Sequence, residues 1–324
     1  WENPTLSNLD IRDNVSTTHG GGITVAWSES LISNVTIRDN QAETNGGGIS
    51  TGGLLAILDN VTITGNTATS NGGGVYLGYG GLDIINTEIS NNQSGGSGGG
   101  LKAFHNNPDH TLTLDRVTIA DNISGSVGGG IDLEADGNCV VAGGECVVSS
   151  IVNSIIAENV GEGQINLTSA VLVDISYSNI AAGQDGVIYE DPEDLNWGDG
   201  NIDVDPRFVS VIEGQENYHL LASSLCINSG HPDSTDSDGT RSDVGAYPYL
   251  NDYDGGIDLN WWVSNDDGSD ITGTGENLNP FASVQAGLNF ANDNGTVIVS
   301  NGFYQENVIW PDYTKKMGVN LIGN

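Results

Sequence analysis

The sequence predicts an all-β chain folded as a right-handed parallel β-helix. Three observations carry that reading. The first is a motif that recurs at a fixed step. Asn8-Leu9-Asp10-Ile11-Arg12-Asp13-Asn14 returns from Asn34 to Asn40, from Asn60 to Asn66 and from Asn86 to Asn92, 26 residues on each time. The second is a glycine triplet after each copy: Gly20-Gly21-Gly22, Gly46-Gly47-Gly48, Gly72-Gly73-Gly74 and Gly98-Gly99-Gly100. The third is alternation within the motif. Val35 and Ile37 share one strand face while Thr36 and Arg38 take the other. A period between about 20 and 50 residues marks a solenoid, whose units bury their apolar faces only by stacking.

Each coil offers about three short apolar runs. One is the motif itself, as in Val61-Thr62-Ile63. A second follows the glycines, as in Ile23-Thr24-Val25, and a third precedes the next copy, as in Leu55-Ala56-Ile57. β-Branched residues dominate all three. A coil of 26 residues is long for a two-sheet solenoid, so three sheets are expected. The last residue of the motif, Asn14, Asn40, Asn66, Asn92, Asn122 and Asn159, forms a column whose amides can hydrogen-bond along the axis. Asparagine also suits the left-handed backbone of a tight turn. The glycines permit positive φ and close backbone approach. A phosphate cradle would need a helix after them, and strands follow instead.

The period then loosens. A fifth copy, Arg116 to Asn122 with Gly128-Gly129-Gly130, comes 30 residues on, and a sixth, Asn153 to Asn159, 37 residues on without glycines. The longer steps accommodate two insertions. One holds His105 and His110, either metal ligands or part of a solvated loop tip. The other holds Cys139 and Cys146, which a disulfide would close in an extracellular setting or which remain two thiols. Cys226, between Leu225 and Ile227, reads as a buried small apolar residue.

Residues 1–190 therefore read as coils. Residues 191–250 change character: Pro, Asp and Trp appear and the period stops. Within them Asp233, Asp236, Asp238 and Asp243 crowd around Gly239, and hard oxygens at short spacing suit Ca²⁺. The other reading is a solvated acidic turn with Arg241 pairing one carboxylate. No other cofactor is expected. Residues 251–324 start a new pattern. A strand at Trp261-Trp262-Val263 precedes a helix over 281–291, with Asn279 as cap, Pro280 at its first position and Phe281, Val284, Leu288 and Ala291 on one face.

The pairing of Ile-x-x-Asn with Gly-Gly-Gly-Ile resembles the repeats of chlamydial polymorphic outer membrane proteins, usually Phe-x-x-Asn and Gly-Gly-Ala-Ile. More broadly it resembles the pectate-lyase-like β-helix superfamily. Residues 191–250 are similar to the closing segment of secreted bacterial β-helices, and 251–324 to the helix-plugged start of such a domain. The resemblance implies an extracellular or cell-surface protein. A starting-type segment at 251–324, placed before Trp1 of another unit, would let units join head to tail into a fibre, in tandem or as separate subunits.

Forty-three acidic against eight basic residues give a formal charge of −35. That excludes phosphate backbones as natural partners, since their recognition needs Lys and Arg. No apolar run is long enough to span a membrane as a helix. Catalysis is not expected. A glycosidase needs paired carboxylates at fixed separation, and a lyase needs a base beside a carboxylate-bound cation. His19-Gly20 resembles a fragment of a polygalacturonase motif whose companions are absent. The outward columns instead place Arg12 and Arg38 beside Asp13 and Asp39, an ion-paired surface ladder. The expected function is a structural or adhesive surface module. The alternative is a carbohydrate-active β-helix, either a lyase or a glycan-binding module using Trp27, Tyr76 and Tyr79 as stacking platforms.

Overall fold

The computed structural model describes residues 3–105, 111–135, 148–168, 171–212, 214–250, 260–291, 294–310 and 318–323. The chain divides into two compact units. The first runs to Val204 and includes Val244–Ala246; the second comprises Asp205–Asp243 and the residues from Tyr247 onward.

The first unit is a three-sheet parallel solenoid, as the period predicts. Sheet A has ten strands, sheet B six and sheet C seven. Sheet A runs through Thr5–Arg12, Ser30–Arg38, Ala56–Thr64, Leu82–Ser90 and Leu112–Ala120. It continues past residue 190 to Leu195–Trp197, which pairs with Leu172–Ser176. Sheet B is made of two- to five-residue strands such as Gln41–Ala42 and Thr67–Ala68. Sheet C stacks Ile23–Ala26, Ile49–Gly52, Val75–Tyr79, Leu101–His105, Ile131–Ala135, Ile165–Thr168 and Val187–Ile188. Register follows the period: Val35 pairs with Val61 and Ile37 with Ile63, and Ile63 pairs in turn with Ile89. These alternate residues point inward and are fully or almost fully buried, with Ile49, Val75, Leu77 and Leu101 from sheet C closing the same core. In the first coil Leu9 stays 45% exposed, because no described coil covers its other side.

Two expectations about the coil need correcting. The run before each motif and the motif itself are not separate strands. They fuse into one nine-residue strand, such as Ala56–Thr64, and the third sheet comes from the two residues after the ladder asparagine. The fusion is possible because the first motif residue takes a left-handed backbone within the strand: Asn8, Asn34, Asn60, Asn86, Arg116 and Asn153 all have φ near +50°. The ladder asparagines themselves are not left-handed. The residue before each one is: Asp13, Asp39, Gly65, Asn91, Asp121 and Glu158. The turn and the ladder are thus carried by adjacent residues.

The glycine triplet has distinct reasons at each place. Gly46 needs φ +69°. A Cβ on Gly47 would run into the carbonyl of Gly73 and the backbone of Thr67, and one on Gly48 would press on the Asn66 amide at 3.1 Å. Val244–Ala246 lies across the outward face of sheet A, where Gly245 N donates to Asn153 O and Ala246 N to Thr118 Oγ1. That strap buries Thr118 and Ile155, although both face outward.

The second unit holds an antiparallel pair, Phe208–Ser210 with Asn217–Leu220, and a parallel three-stranded sheet, Asn260–Val263, Thr296–Val299 and Asn320–Gly323. Between the first two strands of that sheet lies the helix Val284–Phe290. Phe281, Val284, Leu288 and Ala291 are buried together with Trp261, Val263 and Val297, as the helical face predicts. The helix starts later than expected. Ser283, not Asn279, is its cap, accepting from Ala286 N, while Glu306 accepts from Val284 N and Gln285 N at 2.8 and 2.9 Å. Asn279 lies in a bridge with Glu276 instead.

Candidate functional site

The asparagine column is built as expected. Asn14 donates through both its backbone N–H and its side-chain amide to Asn40 Oδ1, at 3.1 and 2.9 Å. The pattern repeats from Asn40 to Asn66, Asn66 to Asn92, Asn92 to Asn122 and Asn122 to Asn159. From Asn40 to Asn159 each amide also donates to a carbonyl of the preceding coil, as Asn92 does to Ile63 O. Gln164 Oε1 accepts from Asn159 and ends the series. From Asn40 to Asn159 the column is buried, so its polar atoms depend on one another for hydrogen bonds.

The surface ladder on sheet A also forms. Arg38 reaches Asp10 through Nε and Nη2 at 3.1 and 3.0 Å and Asp39 through Nη1 at 3.0 Å. Arg12 approaches Asp10 and Asp13 at 3.4 and 3.6 Å. These exposed pairs each contribute little, on the order of 0–1 kcal/mol.

The outer face of sheet C brings together residues far apart in sequence. Trp27, Tyr76 and Tyr79 line one open groove of about 360 Å³ with His19, Thr24 and Ser50. The rings of His19 and Tyr76 are near parallel, 6.2 Å apart and 14° in plane angle. Tyr79 meets Phe104 edge-on at 6.5 Å. Trp27 is 68% exposed and Tyr79 51%. From the middle coil the groove is lined by Ser50, Thr51 and Gly52.

Trp27 occupies an unusual position. Its backbone has φ +57°, and the matching places in the next two coils are glycines, Gly53 at +125° and Gly80 at +98°. A Cβ on Gly53 would strike the Trp27 backbone, whereas no described coil lies on the other side of Trp27. A bulky residue at positive φ costs about 1–2 kcal/mol.

The same outward column continues Thr24, Ser50, Tyr76, Lys102, Asp132 and Asn166, each in register with the next. Beyond Tyr76 it is polar and enclosed. Lys102 Nζ donates to Asp132 Oδ2 at 2.6 Å and Glu134 Oε2 at 2.7 Å, and Asn166 donates to Asp132 Oδ1 at 2.7 Å. Lys102 and Asp132 are buried, while Glu134 keeps part of its carboxylate exposed. Burial pushes the Tyr76 phenol above its usual range, and the nearby Lys102 charge opposes the shift. The cluster has one cation between two carboxylates, so it presents no free positive charge to a ligand.

Other expected ligands are not gathered. Asp243 is buried and accepts from Asn228 N and Tyr249 N, at 2.7 and 2.6 Å. Its own N–H donates to Asp236, and Asp238 Oδ1 accepts from the N–H and hydroxyl of Thr240. These carboxylates, with Asp233 exposed, organise a loop. Among the described residues no group of three or more His, Cys, Asp or Glu side chains is arranged to hold a metal ion. Arg241 donates to the carbonyls of Gly230 and Ser229. Burial drives the Asp243 carboxyl up to about 8 against its two backbone donors. His105 ends a sheet C strand, buried near Ser149 Oγ, rather than standing at a loop tip. His110, Cys139 and Cys146 lie outside the described residues. Cys226 is buried, as its apolar neighbours predict.

These features define a parallel β-helix repeat protein. Residues 60–78 match the Chlamydia polymorphic membrane protein repeat. That stretch is structurally most of one coil: it contains the ladder residue Asn66, the triplet Gly72-Gly73-Gly74 and the sheet C strand Val75–Tyr79 apart from its last residue. No curated protein and no solved structure matches the chain. Among the described residues no helix is long and apolar enough to cross a membrane, which says nothing of β-barrels.

Proposed function

We propose that the chain is a structural module of a cell-surface β-helix, a rigid spacer without chemistry of its own. The observation that carries this reading is the match of a surface-protein repeat to one coil of a stack whose asparagine column runs unbroken over six coils. Such a column resists local opening, because freeing one coil strands buried donors and acceptors on both neighbours. The acidic surface supports work outside the cell, where salt screens its self-repulsion. Solenoids of this kind extend by adding coils, so stacking of units into a longer surface fibre belongs to the same proposal.

Antibodies against the solenoid, applied to intact producing cells, test the reading. Labelling of unpermeabilised cells together with protease resistance of the coils is expected. Labelling only after permeabilisation contradicts it, as does ready cleavage within residues 30–130.

A further inference from the structure

The groove on sheet C has a task that a plain spacer does not require. The geometry points to a binding site for a short run of neutral hexopyranose units, held between Trp27 at one end and Tyr76 and Tyr79 at the other. This goes beyond the structural role and does not rest on it.

The aromatic arrangement comes first. Trp27 belongs to the first coil and Tyr76 and Tyr79 to the third, two strand spacings away, or about 10 Å. The middle coil contributes Ser50, Thr51 and Gly52. The space between is therefore walled by rings and open above, and at about 360 Å³ it lies at the small end of ligand sites. Pyranose rings are each about as long as one strand spacing of ~4.8 Å. Their C–H faces pack on aromatic rings, while their hydroxyls need polar neighbours. Thr24, Ser50, His19 and the tyrosine hydroxyls supply these along the rim.

The backbone of Trp27 is the second and independent observation. At the matching places in the next two coils the positive φ is met by glycine. Here a large ring is kept in that conformation. Strain of this kind is found at residues that contact a ligand.

Charge then selects the ligand. The chain carries a net −35, and the one lysine beside the groove is held by Asp132 and Glu134. An anionic saccharide would meet repulsion with no cation to receive it. A purely apolar peptide would leave the hydroxyl rim without partners.

Isothermal titration of the whole chain with cellotetraose, mannotetraose and chitotetraose, with tetragalacturonate as the anionic probe, tests the site. Saturable binding of at least one neutral probe at millimolar affinity or tighter is expected, with tetragalacturonate at least ten-fold weaker. Trp27→Gly places the residue of the neighbouring coils at this position, relieves its left-handed strain and should not lower the melting temperature. It should weaken binding at least ten-fold, as should Tyr79→Ser, while Trp310→Ala changes nothing. Failure of all neutral probes to bind overturns the proposal. So does undiminished binding by Trp27→Gly, or tetragalacturonate binding as tightly as the neutral probes. A loss of self-association in Trp27→Gly without any saccharide effect would assign the indole to contact between copies instead.

Discussion

Asn92 shows what a single residue does in this fold. It takes two donors from Asn66 and gives two to Asn122, and it also caps the carbonyl of Ile63, all in the absence of water. Asn92→Ala would strand several buried polar atoms at once. A loss of about 3 kcal/mol or more is expected from urea unfolding, since each abandoned buried group costs about 1–3 kcal/mol. Asn34 is the contrasting case: exposed, left-handed and bonded only to Asn60 through its amide. Asn34→Ala should cost about 1 kcal/mol from backbone strain, and Asn34→Gly less. If the two positions respond alike, the ladder is not the main tie between coils. The inner column was legible in the sequence because every copy repeats it. The left-handed positions were not, because Asn occurs both in the ladder and at left-handed places, as at Asn92 and Asn91, and composition does not say which of two neighbours bends.

At the scale of elements, the groove and the buried ion cluster mark where the period misleads. A step of 26 places Trp27 over Gly53 and then Tyr79, yet Gly52 pairs with Tyr79 because one extra residue enters the third coil. That shift puts Gly80 at the Trp27 position and turns Tyr79 into the groove. The sequence offered Trp27, Tyr76 and Tyr79 as aromatic platforms, but not the groove that unites them. Lys102 and Asp132 went unnoticed because their coil is four residues longer, which hides a register pair behind a step of 30. Their burial makes a clear prediction. Lys102→Met leaves Asp132 enclosed with Asn166 alone of the cluster to bind it, and a loss of about 3–5 kcal/mol is expected in chemical unfolding. A loss under about 1 kcal/mol would show the cluster to be solvated. The Asp loop of the second unit predicts a pH effect. The Asp243 carboxyl titrates at about 8 in the folded chain, above its ordinary 3.8, so the folded state holds the proton more tightly. Its contribution is therefore complete below about pH 4 and is lost as pH rises through about 8. The stability difference between the parent and Asp243→Asn should shrink across that window. A difference that stays flat, or grows with pH, contradicts the buried, protonated carboxyl.

At the scale of the whole molecule, the first unit is a stack of coils and the chain carries strong negative charge. With 43 acidic and eight basic residues, self-repulsion works against the compact state. Added sodium chloride should raise the melting temperature of the solenoid over the first few tenths molar, where the Debye length falls below about 10 Å. A melting temperature indifferent to salt would show that the charges lie too far apart to matter. The solenoid itself follows from period, alternation and glycine spacing, all of which are local and repeated. The strap of Val244–Ala246 across sheet A could not be read in advance, because its backbone N–H groups reach partners 92 and 128 residues away that no pattern announces. The account stands on the stacking of each coil on the next in one register. Cysteine pairs test that directly. Thr36 lies beside Thr62, and Thr62 beside Glu88, on the outward face of sheet A. Neighbours one coil apart lie within the Cα separation of about 4.4–6.8 Å that a disulfide spans, and residues two coils apart do not. Under mild oxidation Thr36→Cys with Thr62→Cys should cross-link, as mapped by peptide mass, and Thr36→Cys with Glu88→Cys should not. Equal cross-linking of both pairs, or of neither, would contradict the stacked register.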